Sequence, residues 1–199
     1  MTITKDARMV ATREMALEAA LDILQSKGVL AITHASISAR TGISRSTLYR
    51  HWPKLDQVRN DAFARATRAT QDTNVSVRTN GPLRADLTWL LGFLMVALTD
   101  MPWGKIAPQV IAAAAIEDEA RSLMDAWIKD RKASLEEVFQ AAIDRGEIAD
   151  TVPLEPLIEM TIAVPYFRKL VAGQPLDHDW LDTHVDMICS TAEKISDKN

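Results

Sequence analysis

The stretch Thr33–Lys54, THASISARTGISRSTLYRHWPK, decides how the rest of the chain is understood. It predicts two short helices joined by a tight turn. Thr33 is a candidate N-cap of the first helix because its hydroxyl can accept a hydrogen bond from a free amide of the first turn. Gly42 stands where that helix must end, since glycine readily adopts the left-handed conformation of such an end. Ser44 can then cap a second helix over residues 45–51.

The second of these helices carries mostly polar and basic side chains, which makes it poor core material. In a DNA major groove, arginine reads guanine, hydroxyl groups reach base edges or phosphates, and tyrosine can donate to phosphate. A helix, a glycine-containing turn and a polar recognition helix form the helix-turn-helix arrangement. The alternative is a surface helix without a ligand.

The run Ile37–Trp52, ISARTGISRSTLYRHW, resembles the signature of the TetR-type family of bacterial transcriptional repressors. That signature joins a hydrophobic residue, a Gly-Val/Ile-Ser turn and a Thr-Leu-Tyr-x-x-aromatic helix at this spacing. The resemblance implies an all-α protein. An N-terminal three-helix DNA-binding domain with the helix-turn-helix would precede a larger helical domain for regulation and dimerisation. It also implies that the aromatic Trp52 is structural.

Within the motif, Arg45 and Thr47 are the candidates for reading bases, and Arg50 could contact either bases or phosphates. Ser44 completes the DNA-facing set as the helix cap. The candidates for phosphate contacts are Thr33, Ser46, Tyr49, His51 and Lys54. Lys54 is carried over from the family at a shifted position, because related proteins place Lys or Arg three residues after the aromatic. This chain has Leu55 there.

Charge is divided unevenly along the chain. The 199 residues carry a net charge of −4. Residues 1–60 contain nine Lys and Arg against five Asp and Glu, a balance of +4, so the remaining residues carry −8. Basic charge around the motif is expected for phosphate binding, whereas the acidic remainder favours a solvated body.

Composition argues against several other classes. A hydrophobic fraction of 47% is ample for a core. The single cysteine, Cys189, cannot form an internal disulfide, which fits a reducing cytoplasm. We expect no signal peptide in the polar first 13 residues, and no membrane span, because the apolar stretch 87–98 is too short. The sequence has no Gly-rich phosphate loop and no nucleophile elbow, so we expect neither an enzyme nor a cofactor.

Two local patterns divide the chain. Met15, Ala19 and Ile23 recur at four-residue steps and predict a first helix over residues 11–26, after a mobile N-terminal arm. The sequence Asn80-Gly81-Pro82 is a turn signal. The resulting domains are a helix-turn-helix domain with a connecting helix that continues to about Thr73, and a helical ligand-binding and dimerisation domain: residues 1–73 and 74–199.

The second of these domains ends in two helices, near 154–172 and 177–195. They resemble the pair that dimerises family members as a four-helix bundle. Pro165 should kink the first helix. Acidic and histidine side chains between residues 178 and 186 could suggest a metal site, but they are also typical of the capped first turns of a surface helix, and we expect no metal.

Large side chains on several helices of this domain could line a cavity for an apolar or aromatic effector. The alternative for each is that it fills the core. The candidates are Trp89, Phe93, Trp103, Trp127 and Tyr166.

Together these observations predict a homodimeric repressor that binds double-stranded operator DNA and is released by a small molecule. Two alternatives stay open at this point. One is an activator or constitutive regulator without an effector. The other is a helical ligand-binding or enzymatic body that has lost DNA binding.

Overall fold

The computed structural model describes residues 2–68 and 77–196. Over these ranges the chain forms helices and no β-strand, which confirms the all-α expectation. The α-helices are α1 (Thr2–Lys27), α2 (His34–Thr41), α3 (Arg45–His51), α4 (Leu55–Arg68), α5 (Leu83–Thr99), α6 (Trp103–Ala114), α7 (Asp118–Asp144), α8 (Leu154–Tyr166) and α9 (His178–Ser196). Among the described helices, none is by itself long and apolar enough to cross a membrane, and α5 and α6 reach that length and composition only as a bent pair.

The chain divides into two compact units. One comprises Met1–Thr70 and Lys105–Asp125, and the other Gln71–Gly104 and Ala126–Asn199. The first unit therefore includes a later segment whose place in this unit was not predicted from the sequence. The expected domain boundary after residue 73 and the expected continuation of α4 to Thr73 lie outside the described residues.

Helix α1 is longer than the sequence predicted. It begins at Thr2, whereas the sequence predicted a start at residue 11. The first ten residues contain neither glycine nor proline, and nothing in them stops a helix from extending toward the N-terminus. The predicted apolar face is correct at Ala19 and Ile23, which are buried, whereas Met15 is 52% exposed.

The core of the first unit lies between α1, α2, α3 and α4. Helix α1 packs against α4 and α2, and α2 packs against α3. Ile37, Leu48, Trp52 and Val58 are each at most 2% exposed. Trp52 is thus a core residue under the recognition helix, as the resemblance implied.

The core of the second unit joins α5, α8, α9 and the later part of α7. Helix α9 packs against α5 and α8. The most deeply buried side chains of this core include Leu87, Phe139, Ile158 and Val185.

Helix α8 ends differently from the prediction. Its α-helical part stops at Tyr166 and a π turn, Phe167–Val171, follows. Pro165 lies one residue before that end. Proline lacks the N–H that an α-helix needs, and the change from α to π geometry immediately after it agrees with the predicted local distortion.

Candidate nucleic-acid interface

The two helices of the motif begin and end with the expected caps. The Thr33 hydroxyl accepts from the Ser36 amide at 3.0 Å, and the Thr33 amide donates to the Ser36 hydroxyl at 2.9 Å. These reciprocal bonds form a capping box. Gly42 ends α2 with a φ of 74°, which is the left-handed conformation that favours glycine. Both predictions are confirmed.

Ser44 caps α3 as predicted. Its hydroxyl accepts from the Thr47 amide at 3.2 Å, and it also contacts the hydroxyls of Ser46 and Thr47 at 3.0 and 2.9 Å. The helix covers Arg45–His51, the range that the sequence predicted. The three hydroxyl groups cluster at the helix N-terminus, where unpaired backbone amides favour an anionic partner.

Exposure separates the candidate DNA contacts from the side chains that hold the helix. Leu48 is fully buried and anchors α3 on the core. Tyr49 is 52% exposed. The other exposed candidates are Ser44, Arg45, Ser46, Arg50 and Lys54, and the half-buried ones are Thr33, Thr47 and His51. Their individual roles toward bases or phosphates remain predictions.

The arginines of α3 differ from four other arginines of the first unit. Arg13, Arg40, Arg59 and Arg65 each form an ion pair with a carboxylate. Among the described residues, Arg45 and Arg50 form no such pair, and the contact found for Arg50 is a 3.4 Å bond to the Thr47 hydroxyl. A guanidinium without an internal carboxylate keeps its charge available for phosphate or guanine.

Two residues that sequence reasoning missed hold α3 in place. His34 is 5% exposed, and its Nε2 donates to the Trp52 carbonyl at 2.8 Å. Its ring stacks on Tyr49 with 4.1 Å between centroids. Asp61 on α4 accepts from Trp52 Nε1 at 2.7 Å. The histidine therefore fixes the end of α3 and supports the candidate phosphate-contacting tyrosine.

The start of α4 shows how the shifted lysine is placed. Lys54 is exposed directly before α4, and its backbone amide donates to Gln57 Oε1 at 3.1 Å. Leu55, at the position where the family places a basic residue, is half-buried. Lys54 is thus available for a phosphate, but whether it makes that contact stays a prediction.

The five candidate ligand-binding residues fall into two ring-contact groups in the second unit. Trp103 stacks on Trp127 with 4.8 Å between centroids, and Tyr166 meets Trp127 edge-on at 5.7 Å. Trp103 Nε1 donates to the Tyr166 hydroxyl at 2.8 Å. We call these three residues the aromatic cluster. Burial raises the pKa of Tyr166 well above its usual range, so its hydroxyl stays protonated.

The other group lies on α5. Trp89 is 40% exposed and meets Phe93 edge-on at 5.1 Å. Trp89 also lines a cavity of about 480 Å³ with residues 77–80, and the guanidinium of Arg78 lies 5.0 Å from the ring centroid. The sequence did not predict that the five candidates would separate in this way.

An apolar strip of side chains lies exposed on α8 and the π turn. Met160, Val164, Phe167 and Val171 are 48%, 40%, 60% and 73% exposed. Their spacing of three or four residues places them on one side of a helix. Met187 on α9 is 64% exposed. An exposed apolar group of this kind marks an interaction surface more often than an ordinary solvated face.

The acidic side chains at the start of α9 are used within the unit. Asp186 and Asp182 lie 2.6 and 3.7 Å from the guanidinium of Arg84. His184 is buried and its Nε2 donates to the Thr161 carbonyl at 3.1 Å. In the part of the chain that the structure describes, no group of three or more His, Cys, Asp or Glu could hold a metal ion.

Comparison with protein families covers both units. Residues 16–59 match the model of the bacterial regulatory proteins of the tetR family. Residues 77–188 match the model described as the tetracyclin repressor-like C-terminal domain. The chain belongs to the TetR family. It is a transcriptional regulator with a helix-turn-helix and not an enzyme.

Individual relatives agree with this assignment. The chain is 23% identical over 171 residues to the uncharacterised HTH-type transcriptional regulator YdeS of Bacillus subtilis, covering 85% of this chain and 84% of YdeS. GusR of Salmonella enterica superposes with a TM-score of 0.74 at 16% identity, over 92% and 96% of the two chains. A transcriptional regulator from Saccharomonospora viridis in complex with choline superposes with a TM-score of 0.68 at 16% identity, over 91% and 96%. At these identities the two structures show a shared fold.

Proposed function

We propose that this TetR-family regulator is a homodimeric repressor that binds operator DNA through α3 and leaves it when a small molecule binds in the second unit. The observation that carries the DNA-binding part is the contrast between arginines in the first unit. Arg45 and Arg50 are exposed and form no carboxylate ion pair among the described residues, whereas Arg13, Arg40 and Arg59 do. As a DNA-binding regulator, the protein would act in the cytoplasm, where bacterial DNA lies.

The exposed apolar strip supports the dimer. Met160, Val164, Phe167 and Val171 lie where the sequence placed one of the two dimerising helices, and α9 adds Met187. A second copy can cover an apolar face of this kind through a two-fold interface. Two recognition helices would then read half-sites separated by one helical turn or a multiple of it.

The aromatic cluster supports the effector. Trp103, Trp127 and Tyr166 all belong to the second unit and are linked by ring contacts and one hydrogen bond. Large aromatic side chains together with a few polar groups are typical of small-molecule sites. The fold-level relative from Saccharomonospora viridis holds choline, which illustrates that this fold accommodates a small ligand.

Arg59 offers a route from such a ligand to α4. Its guanidinium donates to Glu119 Oε2 at 2.7 Å and to the Ile32 and Leu30 carbonyls at 3.2 and 3.3 Å. Glu119 lies in the first turn of α7, and the same helix carries Trp127 further along. We infer that a ligand acts by shifting α7, which moves Arg59 and tilts α4. Release requires that the ligand prefers one arrangement, and about 1–3 kcal/mol of coupling is typical.

A footprint on the intergenic DNA beside the gene tests this proposal. We expect two protected half-sites whose centres lie one helical turn or a multiple apart. Candidate small molecules titrated into the same assay should remove the protection. Protection that no small molecule removes would favour a constitutive regulator, and a chain without sequence-specific protection on any fragment would contradict the DNA-binding role of α3.

A further inference from the structure

One buried donor in the aromatic cluster lacks a partner. Trp127 is 8% exposed, and the described residues offer no hydrogen-bond acceptor to its Nε1. A buried N–H without an acceptor is costly, and native structures rarely leave one unpaired. The ring of Trp127 is held by Trp103 and Tyr166, so the N–H has a fixed direction.

Positive charge lies beside this donor. The guanidinium carbon of Arg131, one helical turn further along α7, is 5.6 Å from the ring centroid of Trp127. Burial lowers the pKa of Arg131, which reflects the cost of keeping its charge away from water. An oxyanion that accepts from Trp127 Nε1 would lie beside this guanidinium.

The first unit contains the same arrangement with its acceptor in place. Trp52 is 2% exposed, and the guanidinium carbon of Arg13 lies 5.1 Å from its ring centroid. Asp61 Oδ2 accepts from Trp52 Nε1 at 2.7 Å and pairs with Arg13 at 2.5 Å. One carboxylate therefore satisfies both the indole and the guanidinium. Trp127 and Arg131 repeat the indole and the guanidinium, but Trp127 has no such acceptor among the described groups.

We propose that the ligand site of the second unit takes a small carboxylic acid with an apolar body, whose carboxylate accepts a hydrogen bond from Trp127 Nε1 beside Arg131. The regulatory meaning of this site rests on the function proposed above, while the binding itself does not. A hydrogen bond to a charged group is stronger than one between neutral groups, so the acid binds more tightly than an uncharged molecule of the same shape.

A quaternary ammonium ligand is the contrasting class. Aromatic clusters bind such cations through the faces of their rings. Here Arg131 already places a positive charge over the ring of Trp127, and a second cation would be repelled. A quaternary ammonium group also cannot accept a hydrogen bond from Trp127 Nε1.

The test measures binding to the full-length protein without DNA, by calorimetry. The probes are benzoate, 2-naphthoate and octanoate, each compared with the alcohol of the same carbon skeleton, and choline. We expect at least one acid to bind about tenfold more tightly than its alcohol, as one hydrogen bond to a charged group allows. Trp127→Phe keeps the aromatic ring and removes the donor, so it should abolish most of this preference.

The matched control is Trp180→Phe, the same chemical change at a tryptophan that stacks on His184 outside the aromatic cluster. It should keep the preference for the acid. If Trp127→Phe does not fold, Arg131→Gln serves as the second variant and should also weaken acid binding. The proposal is overturned if no acid binds more tightly than its alcohol, if the preference survives in both variants, or if choline binds more tightly than every acid.

Failure of this inference is separable from failure of the proposed function. A regulator that footprints and is released by neutral molecules alone keeps the proposed function and contradicts the carboxylate site. Conversely, a protein that binds an acid through Trp127 without any change in operator affinity keeps the site and contradicts effector release.

Discussion

Each of the two units buries a tryptophan with a guanidinium over its ring. The units differ in whether the indole N–H of that tryptophan has a hydrogen-bond acceptor. Trp52 donates to Asp61, and the same carboxylate pairs with Arg13. Trp127 lies near Arg131 but has no acceptor among the described residues. The first unit thus supplies an acceptor for its indole N–H, whereas no described residue accepts from Trp127 Nε1.

The two units also differ in the polarity of their exposed helix faces. Helix α3 presents polar and charged side chains such as Arg45 and Tyr49, while α8 and the π turn present Met160, Phe167 and other apolar groups. A polar face suits a charged, hydrated partner such as DNA. An apolar face suits a protein surface that excludes water. On the function proposed above, the first unit would read DNA with the groups it already holds, whereas a second copy and a ligand would complete the second unit.

The largest effect is expected from placing charge in the exposed apolar strip. The double substitution Val164→Glu and Phe167→Glu should yield a monomer, because two buried like charges would face each other across a two-fold interface. Operator affinity should fall by about 100-fold or more, since bivalent binding contributes about 10²–10⁴. Sedimentation velocity and a DNA titration measure the two consequences.

A matched control is Ile116→Glu, at an exposed apolar residue of the first unit that is 78% exposed and lies outside the strip. It should remain dimeric and bind DNA normally. A dimer that persists in the double variant would show that the strip is not the interface between copies.

The next effect compares the two tryptophans directly. Trp52→Phe and Trp127→Phe remove the same atoms from buried sites, but Trp52→Phe alone breaks a hydrogen bond to a carboxylate. We expect Trp52→Phe to lower the free energy of unfolding by about 1.5–3 kcal/mol more than Trp127→Phe. Urea unfolding of both variants measures the difference. Equal losses would mean that Trp127 Nε1 has an internal partner after all.

The smallest effect concerns the carboxylate of Glu147, whose hydrogen-bond partners lie within the second unit. Glu147 Oε2 accepts from the Leu83 amide at the start of α5 at 2.7 Å, and Oε1 accepts from Arg145 at 2.5 Å. Burial opposes the charged form, but these bonds outweigh it and lower the pKa of Glu147 below its ordinary value of 4.5. A carboxylate with a lowered folded pKa stabilises the fold above its unfolded pKa, and this stability is lost as pH falls through the folded pKa.

Glu147→Gln should therefore cost about 0.5–1 kcal/mol at neutral pH. The variant should also lose less stability than the parent between about pH 5 and pH 3. Thermal unfolding across this range checks the sign, with Glu137→Gln, at an exposed residue of α7, as the control. Parallel pH profiles for the parent and Glu147→Gln would contradict the role of the carboxylate.

The motif was predictable because its signals are local. Thr33, Gly42 and Ser44 act on backbone groups within three or four residues, so the bounds of α3 follow from the sequence. The start of α1 was not predicted because residues 2–10 have no apolar periodicity. A helix can nevertheless extend through such residues when they contain no glycine or proline. Met15 matched the periodic pattern and is nevertheless exposed, because a single stripe does not say which of its members a neighbouring helix covers.

The remaining features depend on residues that are distant in sequence. His34 reaches Trp52, and Arg59 reaches Glu119 on α7, and no spacing rule predicts either pair. The placement of Lys105–Asp125 with the first unit likewise depends on packing. The separation of the ligand candidates into the aromatic cluster and the Trp89 group follows from tertiary structure, as does the orphan N–H of Trp127.

The most direct test of the central claim is the operator affinity of the double variant Arg45→Ala and Tyr49→Ala at several salt concentrations. The parent should bind more weakly as salt rises, because phosphate contacts release counterions. The double variant should bind about 100-fold more weakly, since each lost contact costs about 1–3 kcal/mol, and it should remain folded with a melting temperature lowered only by the lost stack of Tyr49 on His34. Unchanged affinity in the double variant, or DNA binding by the parent that does not respond to salt, would contradict the assignment of α3 as the recognition helix.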